Sequence, residues 1–545
     1  MNGQSISVPQ HLQSLQGIPF AKIAAGGAHS FALTLSGAVF GWGRNKFGQL
    51  GLNDTNDRCF PALLKSLRSQ KVIDVSCGED HTAALTKEGG VFTFGAGGYG
   101  QLGHNSTNHE VNPRKVFELM GNKVTQIACG RQHTLAFTPS SGKMDSFGLG
   151  GNGQLGTRST CNRKSPAPIK DMGESCWVKR IYAGGDQSFA HYCSSRVDKY
   201  TESDRMWDLQ RRIFTLNMEV IRKWLNHSGG RLPLEISKEI DLMFSSASCI
   251  NGSFLSTGHP DHYNTSSKCS GVDMSTARVL FHKIIQKEHR EISEQVAASM
   301  EKNLIPRLSN SPPDIEALRL YLTLPECPLF RDRNNYVTIT IPFAKCVLIL
   351  KEAPLKVLGN WWSTLEPPVF QRLVDLYKDV VVYLLQMHKV GIPSVESRIF
   401  TCFLDTSLRL LEILHKVNER AGQIIQYDKF YIHELDELID IRNDYVTWIQ
   451  RQMYPLGPDG VVTLCKYPFV FDALAKTTLL QTDAVIQMQM AVDQAQLQNF
   501  SSMFMPAVES VNPCLILIVR RENIVGDTME VLRKSKNVDY KKPLK

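Results

Sequence analysis

The chain lacks any uninterrupted apolar stretch of the roughly 18–20 residues needed to cross a bilayer. Met1 to Gln10 has neither the basic start nor the apolar centre of a signal peptide. It has no long Lys/Arg run either: 61 basic against 53 acidic residues leave a net charge of +8 over 545 residues. So small an excess, spread so thinly, gives no electrostatic footprint for nucleic acid or for a membrane surface. CxxC pairs are also missing. The 13 cysteines are scattered from Cys59 to Cys514, a pattern that suits reduced thiols buried as small hydrophobes better than a disulfide framework. On these grounds a soluble protein of the cytosol is expected, with no nucleic-acid and no membrane partner.

What is present is globular. Hydrophobic residues make up 42% and charged residues 21%, close to the averages for folded soluble chains, and the length predicts two to four domains. The clearest internal signal is a repeat. Ala25-Gly26-Gly27-Ala28-His29-Ser30, Cys77-Gly78-Glu79-Asp80-His81-Thr82 and Cys129-Gly130-Arg131-Gln132-His133-Thr134 are one element three times, with the histidines 52 apart (81−29, 133−81). A second element keeps step as Gly48-Gln49-Leu50-Gly51, Gly100-Gln101-Leu102-Gly103 and Gly153-Gln154-Leu155-Gly156. A period of this size indicates a propeller or an array. Short strand-like runs such as Thr82–Thr86 and Gly90–Phe94, separated by glycine clusters, make each unit one four-stranded blade.

Gly27, His29, Gly78, His81, Gly130 and His133 mark the first element; Gly48, Gln49, Gly51, Gly100, Gln101, Gly103, Gly153, Gln154 and Gly156 mark the second. They are structural markers. The glycines supply positive φ angles and close approaches, and histidines placed once per blade stabilise turns instead of converging on a metal. Gly95–Gly100 and Gly148–Gly153 both fit GxGxxG, yet each recurs at the blade period and is followed by Gln-Leu-Gly and a polar loop, not by a helix. No catalytic, cofactor-binding or metal residue is assigned.

After Cys193 the glycine punctuation stops and helical periodicity takes over. Asp204–Asn226 carries an apolar face ending near Gly229-Gly230. Further helices are predicted at Ser275–Lys302, Asp314–Leu324, Pro368–Lys389, Ser397–Arg420, Lys429–Met453 and Ala473–Met490. Residues 245–273, rich in Ser, Gly and Asn, are predicted to be an exposed linker; Cys249, His259, His262 and Cys269 within it match no standard zinc spacing. Glu434, Asp436, Glu437 and Asp440 form a solvated helix face rather than a catalytic carboxylate pair. Trp361-Trp362 is read as packing. At the end, Leu515–Val519 reads as a strand running into a helix that starts near Asp527 and continues through Leu532.

The GGxHS/T element, the turns Trp42-Gly43, Phe94-Gly95 and Phe147-Gly148, and the following GQLG resemble the repeat of the regulator-of-chromosome-condensation propeller. Three units are complete and a fourth begins at Ala183-Gly184-Gly185-Asp186-Gln187-Ser188, where Gln187 stands in place of the histidine. Val519-Arg520-Arg521, Ile524-Val525, Asp527, Leu532 and Lys541–Lys545 resemble the opening of a HECT domain. In this order the parts are similar to the small HERC ubiquitin-protein ligases, truncated at both ends. The resemblance implies a partial all-β propeller, an all-α region and the first strand and helix of a HECT N-lobe. The domains expected are 1–193 (propeller), 194–244 (helical connection), 245–273 (polar linker), 274–512 (helical spacer) and 513–545 (start of the HECT domain).

HECT ligases carry ubiquitin on a cysteine near the end of their domain, because a thiolate is both nucleophile and leaving group. No residue here matches it, and Cys514 is expected to be a buried structural thiol. The resemblance therefore implies a non-catalytic, regulatory portion that recruits protein substrates or adaptors through the propeller. A ubiquitin-conjugating enzyme and ubiquitin would be partners of a full-length form only. The alternative is a guanine-nucleotide exchange factor, or a propeller scaffold, for a small GTPase. A longer transcript encoding the complete ligase is a third possibility.

Overall fold

A computed structural model describes residues 8, 10–169, 177–193, 214–226, 232–256, 265–389, 394–453, 462–504, 511–534 and 541. These fall into two compact units, Met1–Leu365 and Glu366–Lys545.

The first unit begins with three four-stranded antiparallel sheets and one two-stranded sheet, each in simple meander order. The first sheet is β1 (Phe20–Ala25), β2 (His29–Thr34), β3 (Val39–Gly43) and β4 (Arg58–Leu63). The second is β5 (Val72–Cys77), β6 (His81–Thr86), β7 (Val91–Gly95) and β8 (Glu110–Lys115), and the third β9 (Gln126–Cys129), β10 (His133–Thr138), β11 (Lys143–Gly148) and β12 (Arg163–Pro168). A fourth sheet contains β13 (Trp177–Ala183) and β14 (Ser188–Cys193). Equivalent side chains fill the spaces between sheets: Phe31, Val75 and Ala84 lie in one apolar cluster with Phe94, and Ala83, Ile127 and Ala136 lie in the next with Phe147. Successive sheets thus share cores in which apolar area is removed from water on both sides.

The glycine turns sit where the repeat places them. Gly48, Gly51, Gly100, Gly103, Gly153 and Gly156 all have positive φ. Gly95–Gly100 and Gly148–Gly153 lead out of the third strands β7 and β11 into loops, with no helix at the third glycine.

Helices follow. Met218–Leu225 is capped by the Asn217 side chain, which accepts from the Val220 amide at 3.0 Å; residues 204–213 of the predicted helix lie outside the described residues. Leu234–Ser245, Ile341–Leu348 and Glu352–Trp362 are helices that periodicity did not single out. The predicted Ser275–Lys302 helix is two, Met274–Ile284 and Arg290–Ser299, broken where Gln286 turns extended. Asp314 caps a short turn, Ile315–Leu318, that runs on through Leu320–Thr323.

Residues 245–273 depart from the exposed linker expected of them. Ala247–Gly252 is a helix, Phe254 and Leu255 are buried, and Leu255 bridges to Val272. Serine and asparagine serve here as caps and buried hydrogen-bonding groups rather than as solvated loop residues. His259 and His262 lie outside the described residues. Trp361 and Trp362 are buried, and Trp361 Nε1 donates to the Ser266 carbonyl at 2.8 Å.

In the second unit, Pro367–Lys389 and Ser394–Arg420 pack together; the former buries Phe370, Val374, Tyr377, Val381 and Leu385 at helical spacing. The predicted Lys429–Met453 helix is interrupted. Leu435–Leu438 ends at an extended Ile439, and Asp440 starts Ile441–Met453 by accepting from the Asn443 amide. Of the acidic group, Glu434 precedes that short helix, Asp436 and Glu437 lie within it, Asp440 caps the next, and all four are exposed. Ala473–Phe504 runs well past its predicted end.

The strand predicted at Leu515–Val519 does not form: only Leu515 takes a bridge position. A strand needs a neighbour to take its backbone groups, and the backbone here turns instead onto Asp527. That carboxylate accepts from the Arg520 amide at 2.8 Å and from its guanidinium at 2.8 and 2.9 Å. The helix runs Ile524–Lys534, starting three residues before Asp527. Cys514 is half-buried.

Candidate functional site: the blade seam and the two ends of the first blade

The histidine of each blade reaches the next blade. His29 Nε2 lies 2.9 Å from Thr82 Oγ1, His81 Nε2 2.9 Å from Thr134 Oγ1, and His133 Nε2 2.9 Å from Ser188 Oγ. Each hydroxyl in turn donates back to the glutamine carbonyl of the preceding blade: Thr82 to Gln49 at 2.8 Å, Thr134 to Gln101 at 2.9 Å and Ser188 to Gln154 at 2.8 Å. A hydroxyl that has spent its proton on a carbonyl can only accept from the ring, so the imidazole proton sits on Nε2. The three Nδ1 atoms are buried with no partner. Charging such a ring would bury an unpaired donor, and burial pushes His29 down to about 4, His81 down to about 3, and His133 below its ordinary value.

The glycine three residues before each histidine is needed for space. A Cβ on Gly78 would lie 2.2 Å from His81 Cε1, and one on Gly130 would lie 2.0 Å from His133 Cε1. Gly27 answers a different demand, passing within reach of Glu79 so that its amide donates to the Glu79 carbonyl at 3.2 Å. The same step repeats from Glu79 to the Arg131 carbonyl and from Arg131 to Gly185, each at 2.9 Å. The glutamine side chains close their own turns, with Oε1 accepting from the amides of Phe47, Tyr99 and Asn152; Gln49 Nε2 also donates to Asp80 of the next blade at 3.0 Å. The histidines, the hydroxyls they meet and the glutamine carbonyls therefore form one seam, repeated from blade to blade.

In the first sheet Phe20 pairs with Thr34 and Phe40 with Leu63, whereas Ala25 pairs with Ser30 and Gly43 with Arg58. The sheet thus has a turn end, holding Leu35–Ala38, and a loop end, holding Gly26–Ala28 and the loop from β3 to β4. At the loop end the exposed side chains of Glu79 and Arg131 stand beside Gln132 and Asp186.

The turn end of the first blade is covered by the helical region, through a cluster that no sequence pattern had marked. Glu316 and Arg319 are 0% and 1% exposed. Thr34 Oγ1 donates to Glu316 Oε1 at 2.5 Å, and Arg319 Nη1 stands 3.5 Å from Glu316 Oε2. The guanidinium also donates to Ser36 Oγ, to Thr265 Oγ1 at 2.6 Å and to the Ser270 carbonyl at 3.1 Å. Arg68 makes a two-pronged pair with Asp314, and Asn251 Nδ2 donates to the carbonyls of Gly17 at 2.8 Å and Ala317 at 3.1 Å. Burial raises the Glu316 carboxyl, but arginine stays charged, and each oxygen of the carboxylate has a donor. A signal was available: Glu316 and Arg319 are the charges of an otherwise apolar run, Ile315–Leu322.

The thiols whose acidity is shifted are all shifted away from reactivity. Desolvation pushes Cys129 up to about 11, Cys346 up to about 11 and Cys327 up to about 12, and raises Cys77, Cys249 and Cys465.

A family model described as an RCC1-like domain matches residues 2–190. The rat protein named probable E3 ubiquitin-protein ligase HERC4 is 65% identical over 99% of this chain and 53% of its own length. Human HERC3, named in the same way, is 49% identical over 98% of the chain and 53% of its own length. The Arabidopsis thaliana ultraviolet-B receptor UVR8 is 36% identical over 30% of the chain and 37% of its own. The chain thus spans about half the length of the HERC relatives it matches. With RCC1-like repeat sheets followed by a helical region, and with this degree of identity along nearly all of its residues, the chain belongs to the HERC family.

Proposed function

We propose that this part of the protein recruits protein substrates or adaptors for ubiquitin transfer and does not itself carry ubiquitin. The observation that carries it is the asymmetry of the first blade, with its turn end covered by the helical region and its loop end open. Loops on a rigid frame are where protein contacts concentrate, and the seam supplies that rigidity. The six raised thiols are ill suited to accept ubiquitin, since an accepting cysteine must form a thiolate near neutral pH. Residues 513–545 would open the HECT N-lobe, with Ile524–Lys534 as its first helix, and the conjugating enzyme and ubiquitin would engage the full-length protein. The cytosol, where thiols stay reduced, is the compartment that suits the free cysteines.

The test is a crosslinking capture with the full chain and two charge-reversal variants. Glu79→Arg/Arg131→Glu at the loop end is expected to lose the captured proteins, while Lys87→Glu/Glu88→Lys at a turn end keeps them. The opposite result overturns the assignment of the face. A thioester between ubiquitin and the purified chain, formed with activating and conjugating enzymes, would overturn the division of labour. So would accelerated nucleotide release from a small GTPase.

A further inference from the structure

Two blades repeat the same turn between their second and third strands and the third carries one residue more, yet the helical region sits on the first. We propose that the side chains of one turn, Leu35-Ser36-Gly37-Ala38, are what lets the helical region tell the first blade's turn from the corresponding turns of the others.

Backbone shape does not distinguish the first two of these turns. Gly37 and Gly89 take φ values of 83° and 82°, and the amides of Ala38 and Gly90 both donate to the hydroxyl of the threonine four residues earlier, at 3.0 Å. Side chains do distinguish them. In the second blade the turn is Lys87-Glu88-Gly89-Gly90 and in the third it is Pro139-Ser140-Ser141-Gly142, followed by Lys143. Glu88, Ser140, Ser141 and Lys143 are exposed, whereas Leu35, Ser36 and Ala38 are buried.

Each buried residue has a separate partner on the helical side. Leu35 packs with Ala21 and with Leu255. Ser36 Oγ accepts from Arg319 and lies 3.2 Å from Thr265 Oγ1. Ala38 joins Leu15, Ile18 and Phe40 around Ala317. A lysine at the Leu35 position would leave an ammonium among aliphatic groups with no carboxylate assigned to it, a burial that costs far more than the contact it replaces. Glycine at the Ala38 position would withdraw the methyl that meets Ala317. The second blade's turn therefore rejects the helical region by charge and by lost volume, which is how a repeated scaffold keeps one site distinct from its copies. The partner is the chain's own residues 247–256 and 265–323, and the inference does not depend on what the open loop end recruits.

Amide hydrogen exchange on the full chain tests it, comparing Leu35→Lys with Leu35→Met. Leu35→Lys is expected to speed exchange at least tenfold in 247–255 and 315–323 while β9 to β11 keep their protection. Leu35→Met, which preserves volume and polarity, is expected to leave both segments as they are. The proposal is overturned if Leu35→Lys leaves 315–323 protected. It is equally overturned if Leu35→Met opens that segment as far as Leu35→Lys does, or if β9 to β11 lose protection in step with it.

Discussion

Two joints hold the first unit together, and they use opposite chemistry. The seam between blades is neutral and repeated: an uncharged imidazole, a hydroxyl and a main-chain carbonyl, with a glycine making room. The joint between the first blade and the helical region is charged and occurs once. A repeated joint can be built from small groups because each copy adds its own modest contribution to the total. A single joint gains specificity from charges that are intolerable unless every partner is in place.

The largest test of this contrast is to remove one charge from the single joint. Arg319→Met leaves the Glu316 carboxylate buried with Thr34 alone and should cost about 3–5 kcal/mol, whereas Glu316→Leu/Arg319→Met should recover most of that, as apolar replacements of buried pairs do. Denaturant midpoints at constant slope measure both. A double variant as unstable as the single one would mean that the pair contributes through its hydrogen bonds to Ser36, Thr265 and Ser270 rather than through compensated charge.

The seam should show itself in acid instead. His29 and His81 have folded values of about 4 and 3, below the ordinary 6.5, so the unfolded chain binds protons first as pH falls. Their stabilisation is complete above about 6.5 and is lost as pH drops toward 4. Between pH 7 and 5 each ring should cost about 2 kcal/mol, from about 1.4 kcal/mol per pKa unit. Gln187 already occupies the equivalent place in the fourth sheet, so His81→Gln is the conservative probe. Unfolding measured across this range should be less acid-sensitive in His81→Gln than in the parent chain. Equal pH slopes would show that carboxylates, not the seam, set the acid limit.

Smaller effects separate the two uses of glycine. Gly78→Ala drives a methyl into the His81 ring and toward the Gly130 carbonyl, 2.7 Å away, and should cost about 1–3 kcal/mol as overpacking does. Gly98→Ala, with nothing within 4 Å and no positive φ, should be close to neutral by thermal melting.

The same contrast explains what could be read from the sequence. The repeated four-stranded sheets were legible because each statement was made three times, and a period of 52 is hard to counterfeit. The direction of the histidine contacts was not, since a ring serving its own turn and a ring serving the next blade leave the same spacing. The docked turn was illegible for the opposite reason. Leu35, Ser36 and Ala38 look like ordinary variation until Glu316 and Arg319, nearly 300 residues away, are brought to them. In the helical part, periodicity found the long segments, but single residues that break or restart a helix, such as Ile439 and Asp440, carry too little signal. The strand predicted at 515–519 shows the converse error, because an apolar run fixes a strand only when another strand is there to pair with it.

The smallest effect is the most discriminating within the seam's own repeat. Thr34, Thr86 and Thr138 close the second strand in the three blades, and their hydroxyls meet different fates. Thr34 serves Glu316, Thr86 accepts from the Gly90 amide at 3.0 Å, and the Thr138 hydroxyl is buried with no partner. Replacing an unpartnered buried hydroxyl by a methyl removes a desolvation cost, whereas replacing a partnered one strands a donor. Thr138→Val should therefore be neutral or stabilising by up to about 1 kcal/mol, and Thr86→Val should cost about 1 kcal/mol. If both lost the same stability, the threonine would be kept for its β-branched shape at the strand end, and its hydroxyl would matter only where the first blade turned it toward the helical region.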